Sequence, residues 1–506
     1  MTDPVPGPPV VQTAAGPVRG LRRNGSTVFY GIPYAAAPVA DRRFRAPTPH
    51  PGWSDVRDCT RPGPTPQRRP FAEVTAIPEP SVPGAEILNV NVFTPQESPV
   101  APPRPVLVWI HGGGFKAGSS PGSWYDGSSF NRDGIVTVSL SYRLGFDGFG
   151  WIEDGVHNRG LRDQIAALEW VRDNIAAFGG DPGRVTIAGQ SAGGASVRFL
   201  LASPMARGLV HAAICQSGAL GAQSLDEAEA TGRRLAELAG TPCRTADLAR
   251  LEEDRVLDLQ DEVERELPRP ADLAGVVADM IATGGISVPY RPYVDGEVLT
   301  GPVHDAPRSG LEAPVPVLAG ATANEFTMAG PMFEPLVLGR GPADVAEVIT
   351  RALGDAGEGW LSAYADLAGG STALLGQLMT DHAFRAPLVA WADARTAPTW
   401  LYDYRFVEPV TGYAPHCAEL PFVWDHLDAE RVAMSAGPNP PQSLADAMHG
   451  DWVRFVATHE LPWPRWDRDS RLGMTYADPP HPGPVFALES RVLDALARQR
   501  PSSVAG

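Results

Sequence analysis

From residue 105 onward the chain alternates short, nearly continuous apolar runs with longer amphipathic ones. An apolar run without polar alternation has no face to turn toward water, so it suits a strand covered on both sides, as in a parallel sheet packed between helices. Residues 106–110, 135–140 and 184–188 are such runs, rich in β-branched side chains and each followed by a Gly-rich or polar loop. Residues 314–319 resemble a later strand of the same sheet, because they run into the polar turn Ala323, Asn324, Glu325. The clearest helix is 162–178, where Ile165, Leu168, Val171, Ile175 and Phe178 recur at three and four residues and Gly179 supplies a stop. The acidic, Leu-rich stretch 226–267 is also helix-periodic and reads as an insertion beside the sheet. The expected class is α/β, with a large, mostly parallel central sheet covered by helices.

The 53 Gly and 52 Pro are spread between apolar segments, so they punctuate many short elements and form no low-complexity tract. The proline-rich stretch 62–83 is expected to be a surface loop, since proline removes backbone donors. With 42 basic and 59 acidic residues the formal charge is −17, which repels phosphate backbones and anionic lipid, so neither nucleic acid nor a membrane is an expected partner. No apolar stretch approaches the roughly 20 residues that span a bilayer. Lys116 is the only lysine, which disfavours Schiff-base and Ser-Lys chemistry. Cys59, Cys215, Cys243 and Cys417 are widely spaced, with no CxxC pair for zinc or redox work. Residues 1–11 carry neither the basic start nor the apolar run of a secretory leader, and a reducing, cytoplasmic setting is expected. Oligomeric state is unknown at this level, because one sequence does not locate an exposed apolar patch.

Gly189-Gln190-Ser191-Ala192-Gly193 is a GxSxG pattern, which a chain of this composition produces about 0.3 times by chance. A decoy stands at Gly118-Ser119-Ser120-Pro121-Gly122, without a preceding strand or a following helix. Ser191 has both: the run 184–188 leads in, and the small residues 192–196 open a helix toward Leu201. That context makes a nucleophile elbow, whose glycines permit a strained backbone and whose helix N-terminus favours negative charge beside the serine. Upstream, His111-Gly112-Gly113-Gly114-Phe115 follows the strand 106–110, where bare backbone N–H groups can face an oxyanion. Loop and elbow together, in this order, point to acyl transfer.

These motifs resemble those of type-B carboxylesterases of the cholinesterase-like α/β-hydrolase family, closest in style to bacterial para-nitrobenzyl esterases. The resemblance runs through residues 31–35 (GIPYA), 53–58 (WSDVRD), 90–95 (VNVFTP), 105–115 (PVLVWIHGGGF) and 141–145 (SYRLG), is densest over 158–197, and continues through 203–218 (SPMARGLVHAAICQSG). It implies one large α/β-hydrolase domain over 1–506, with helical insertions near 221–290 and 327–390 forming an active-site gorge. It makes Ser191 the nucleophile, gives the oxyanion-hole amides to Gly113, Gly114 and Ala192, and places Ser217 behind the acid. The acid following a strand and short turn corresponds to Glu325 in 320–326, with Asp295 in YVDG (293–296) as the rival. The base corresponds to His416, ahead of ELPFVW; the residues alone leave His382, His426, His449 and His459 open as well. Arg143 and Asp163 match a structural ion pair.

The implied function is hydrolysis of a small-molecule carboxylic ester through an acyl-enzyme, with a Ser-His-Glu triad and neither metal nor organic cofactor. The same mechanism also suits carbamates, activated amides or a specialised natural-product ester, and the fold alone also suits a catalytically silent binding protein. Departures from the family pattern narrow these. Thr65 and Ile87 stand where relatives carry a disulfide, and 67–86 contains no tryptophan to hold a quaternary ammonium, which disfavours choline esters. The structural acid of the early loop is missing or shifted to Glu86, and Cys417, next to the base, reads as a buried inert thiol.

Overall fold

Alternate side chains of the strand Arg104–Ile110 enter different cores. Val106, Val108 and Ile110 pack with Val136, Val138 and Leu140 on one side of the sheet, while Leu107 and Trp109 pack with Ala188, Ile214 and Leu318 on the other. This two-sided burial is why the strands carry no polar alternation. The computed structural model describes residues 8–70, 75–96, 102–218, 221–286, 288–367 and 369–499. Residues 1–7 of the N-terminal segment and 71–74 of the proline-rich stretch lie outside them.

The main sheet has eleven strands, in the spatial order His481–Pro484, Leu472–Tyr476, Thr399–Tyr404, Val317–Thr322, Ala212–Gln216, Gly180–Gln190, Arg104–Ile110, Val136–Leu140, Asn89–Pro95, Ser26–Pro33 and Leu21–Arg23. Pairings are parallel from Leu472–Tyr476 through to Val136–Leu140 and antiparallel at both margins. A separate three-stranded sheet is built from Val10–Thr13, Gly16–Arg19 and Arg57–Asp58. This is the mostly parallel, helix-covered sheet of the α/β-hydrolase fold.

Two boundaries differ from expectation. The strand placed at 314–319 is Val317–Thr322: Pro314 and Pro316 have no N–H for the ladder, and the strand continues into small residues that hydropathy does not mark. The helix placed at 162–178 is Arg159–Asn174, followed by a 3-10 turn, Ile175–Phe178, and Gly179 at φ +84°. The stretch 226–267 forms the helices Leu225–Ala239, Thr245–Leu248 and Glu253–Glu266, the first held by a capping box between Ser224 and Glu227. Described residues of 62–83 contain no helix or strand. Among the described residues no helix is long and apolar enough to cross a membrane.

Arg143 and Asp163 are a fully buried ion pair with Nε–Oδ2 and Nη2–Oδ1 distances of 2.8 and 2.6 Å. Arg143 also donates to the Arg43 and Arg45 carbonyls, so one guanidinium ties the early loop to the helix Arg159–Asn174. Glu86, the residue to which the sequence reading shifts the structural acid if it is kept, binds Arg57 and His50.

Candidate active site

Ser191 lies between the strand Gly180–Gln190 and the helix Ala192–Ala202, at φ 57° and ψ −123°, a backbone conformation that side-chain-bearing residues rarely adopt. The flanking glycines make the turn possible. A Cβ at Gly193 would stand 2.0 Å from the Ile110 carbonyl oxygen, and one at Gly189 would stand 2.4 Å from Gly193. The Ser191 amide donates to the Gln216 carbonyl, so the serine is held over the carboxyl end of the parallel strands. The helix beginning at Ala192 directs its first, unpaired N–H groups toward the same place.

The glycine loop comes in from the neighbouring strand. Gly113 has φ +114°, and a Cβ there would meet the Ala117 carbonyl oxygen at 2.2 Å. That carbon is excluded because the loop turns on itself, with the Lys116 and Ala117 amides donating to the Gly113 carbonyl. Among the described residues no backbone carbonyl accepts from the Gly113 or Gly114 amide. His111 beneath the loop is buried, its ring stacked on Tyr142 at 4.7 Å, and burial pulls its pKa down to about 4, leaving it a neutral strut.

Glu325 is buried just past the end of Val317–Thr322. Its Oε1 accepts from Ser217 Oγ at 2.6 Å and from the Thr322 amide at 2.7 Å, and its Oε2 meets His416 Nδ1 in a short contact. The His416 amide also donates to the Glu325 carbonyl at 3.1 Å. Burial opposes an imidazolium here, but Cys417 and the Glu325 carboxylate overcome it and hold the His416 pKa well above its usual value. On the other side of the ring, Nε2 faces the Gln190 side-chain amide at 3.2 Å. A proton on Nδ1 toward Glu325 leaves Nε2 as an acceptor, so both contacts select one tautomer.

Ser191, His416, Gly113 and Gly114 line one cavity of about 640 Å³. Its walls include Ile77 from the proline-rich loop, Ile286 and Val288 from 221–290, and Phe384 from 327–390. Phe326 and Phe384 each lie 5.2 Å from the His416 ring and 5.4 Å from each other. Phe384 belongs to a π-helical turn, Asp381–Arg385, an irregularity frequent beside functional sites.

The structure therefore brings Ser191, Glu325, His416, Ser217 and the glycine loop together, and engages the alternatives in other contacts. Asp295 caps its own turn through the Glu297 and Leu299 amides. His382 is buried against the Leu378 carbonyl, His426 bonds the Asp126 carbonyl, and His449 bridges the Val423 carbonyl and Asp133. His459 ends the helix Gln442–Thr458 in a left-handed conformation. Cys417 departs from expectation: it is half-buried on the cavity wall, because positive φ at this residue turns it beside His416.

Sequence reasoning passed over Gln190, whose adjacency to Ser191 was the available signal, and Glu419. Glu419 is fully buried behind His416, accepts from Gln216 at 3.3 Å, and has its pKa pushed up to about 7 by burial and by the Glu325 charge. Among the described residues no group of three or more His, Cys, Asp or Glu is arranged to hold a metal ion.

A family model described as "Carboxylesterase family" matches residues 7–341. The para-nitrobenzyl esterase of Bacillus subtilis (strain 168) is 34% identical over 483 residues, covering 91% of this chain and 93% of the relative. The phenmedipham hydrolase of Pseudarthrobacter oxydans is 32% identical, covering 93% and 95%. Among solved structures, a PNB esterase aligns with TM-score 0.79 at 30% identity over 95% of this chain and 98% of its own. A Geobacillus stearothermophilus carboxylesterase aligns with TM-score 0.78 at 32% identity, covering 96% and 99%. With this sheet, this cavity and these relatives, the chain belongs to the carboxylesterase family and is a carboxylic ester hydrolase.

Proposed function

We propose that the chain is a serine carboxylesterase acting on small-molecule esters through an acyl-enzyme. The observation that carries this reading is His416, joined to Glu325 through Nδ1 and sharing the cavity with Ser191 and the glycine loop. His416 Nε2, released from the Gln190 amide, takes the Ser191 proton as the hydroxyl attacks the ester carbonyl. The Gly113, Gly114 and Ala192 amides receive the charge that develops on the carbonyl oxygen, where one preorganised donor is worth about 3 kcal/mol. Glu325, steadied by Ser217 and the Thr322 amide, orients the imidazole and stabilises its cation. His416 then protonates the leaving alcohol, and water repeats the sequence to free the acid.

The stretches 221–290 and 327–390 serve in this reading as the walls of the gorge within one domain. The four free cysteines support a reducing, cytoplasmic setting. Hydrolysis of a short-chain para-nitrophenyl ester tests the proposal: Ser191→Ala, with its fold retained by circular dichroism, lowers kcat/KM by about a thousandfold or more. Unchanged turnover in that variant removes Ser191 as nucleophile.

A further inference from the structure

The only lysine of the chain is in the proposed substrate cavity. Lys116 follows the oxyanion loop at two residues' distance from Gly114, and its backbone is pinned by a hydrogen bond that its N–H donates to the Gly113 carbonyl at 3.1 Å. Its Nζ meets Glu264 Oε2 at 2.5 Å, and both side chains line the cavity and keep partial exposure, 28% and 22%. Apart from this pair and His416, the charged side chain among the described lining residues is Glu79, engaged by Arg68 at 3.3 Å and by the Gly118 amide at 3.0 Å. Much of the remaining wall is apolar, including Ile77, Ile286, Val288, Phe326 and Phe384.

The two partners of the ion pair are not equally placed. Lys116 is fixed at its root beside the reacting centre. Glu264 sits in the last turn of the helix Glu253–Glu266, where the carbonyl end of the helix disfavours a carboxylate. Asp261, Glu262 and Glu266 crowd negative charge onto the same turns, and each of these meets an Arg: Asp261 meets Arg69, which it shares with Asp258, Glu262 meets Arg255, and Glu266 meets Arg234, which it shares with Glu237. Glu264 is therefore the partner that an incoming anion displaces at least cost. In a chain of net charge −17, Lys116 is also the counter-charge that an anionic substrate meets inside the cavity.

We propose that Lys116 is a specificity-determining residue that receives a free carboxylate of the substrate in exchange for Glu264, so that half-esters of dicarboxylic acids and related anionic esters are a favoured substrate class. This inference rests on the serine-esterase reading above and adds the substrate chemistry. The exchange is non-covalent and leaves the order of acyl transfer unchanged.

The test compares the mono-para-nitrophenyl ester of glutaric acid with para-nitrophenyl pentanoate, of the same chain length without the charge, using the full chain and subtracting the rate of Ser191→Ala. The readout is the ratio of the two kcat/KM values within each protein, so a partly inactive preparation cancels. The ratio is expected to fall about tenfold in Lys116→Gln, as a charge-assisted contact is lost. It should rise severalfold in Glu264→Gln, follow Lys116→Gln in the double variant, and decline in the parent as salt screens the pair. An equal ratio in all four proteins overturns the proposal. So does the opposite pattern accompanied by preference for a trimethylammonium-bearing ester, which would make Glu264 the residue that reads charge. Failure of the parent to hydrolyse even the neutral ester refutes the serine-esterase reading itself, and this inference with it.

Discussion

Replacing Glu325 with glutamine removes one charge while keeping the shape of the side chain, which makes the consequence calculable from its contacts. Glu325 Oε1 already accepts from Ser217 and from the Thr322 amide at 2.6 and 2.7 Å, two donors that a glutamine carbonyl satisfies equally well. The amide NH2 is then forced toward His416 Nδ1. A ring with its proton on Nδ1 would meet donor against donor, so the proton moves to Nε2, and Nε2 loses the lone pair that takes the Ser191 proton. Holding a triad histidine in the wrong tautomer costs about 10⁴ in kcat, or about 5.5 kcal/mol of transition-state stabilisation. The pH profile moves as well. The imidazole is a base only when neutral, and its pKa is held above the usual value, so the parent loses activity as pH falls through that raised value. Without the carboxylate, burial continues to lower the pKa, and the acid limb shifts to lower pH. The assay is kcat/KM for a para-nitrophenyl ester from about pH 5 to pH 9, with a thermal melt to confirm folding. A loss below about tenfold, or an acid limb that stays in place, refutes this account of Glu325.

Gln190→Glu places a carboxylate 3.2 Å from His416 Nε2 and so raises the pKa of the base further; the acid limb of kcat/KM should move to higher pH, opposite in sign to Glu325→Gln. Glu419 has a folded pKa of about 7, above the ordinary carboxylate value, so its contribution to stability is full at low pH and declines as pH rises toward 7. Glu419→Gln removes that decline: melts should coincide near pH 4 and favour the variant at pH 8, by on the order of 3 kcal/mol, and a parent more stable at pH 8 contradicts the assignment. Asp163→Ala strands the Arg143 guanidinium in the core and should destabilise the fold by about 3–5 kcal/mol; a denaturation midpoint close to that of the parent would count against a structural role.

Much of the site was legible because its chemistry imposes local sequence. The elbow needs glycine where Gly193 meets the Ile110 carbonyl, and the oxyanion loop needs it where Gly113 takes φ +114°. Such backbone demands leave marks that can be read directly, as do the buried strands. Strand ends were less legible: Gly320 to Thr322 are small and polar enough to look like loop, yet they carry the ladder to the residue that precedes the acid turn. The choice of Glu325 over Asp295 and of His416 over four other histidines came from resemblance, since a single carboxylate or imidazole has no periodic signature.

Sequence by itself determined the doubly covered sheet and the position of Ser191 and the glycine loop, because each follows from interactions between near neighbours. Tertiary structure alone decided which side-chain atoms meet. Gln190 at His416 Nε2, Cys417 on the cavity wall, Glu419 buried behind the base and Glu264 against Lys116 join residues as much as 226 positions apart. Those pairings depend on the directions in which separate elements aim their side chains, and direction is fixed only when the sheet, the insertions and the loops are packed against one another.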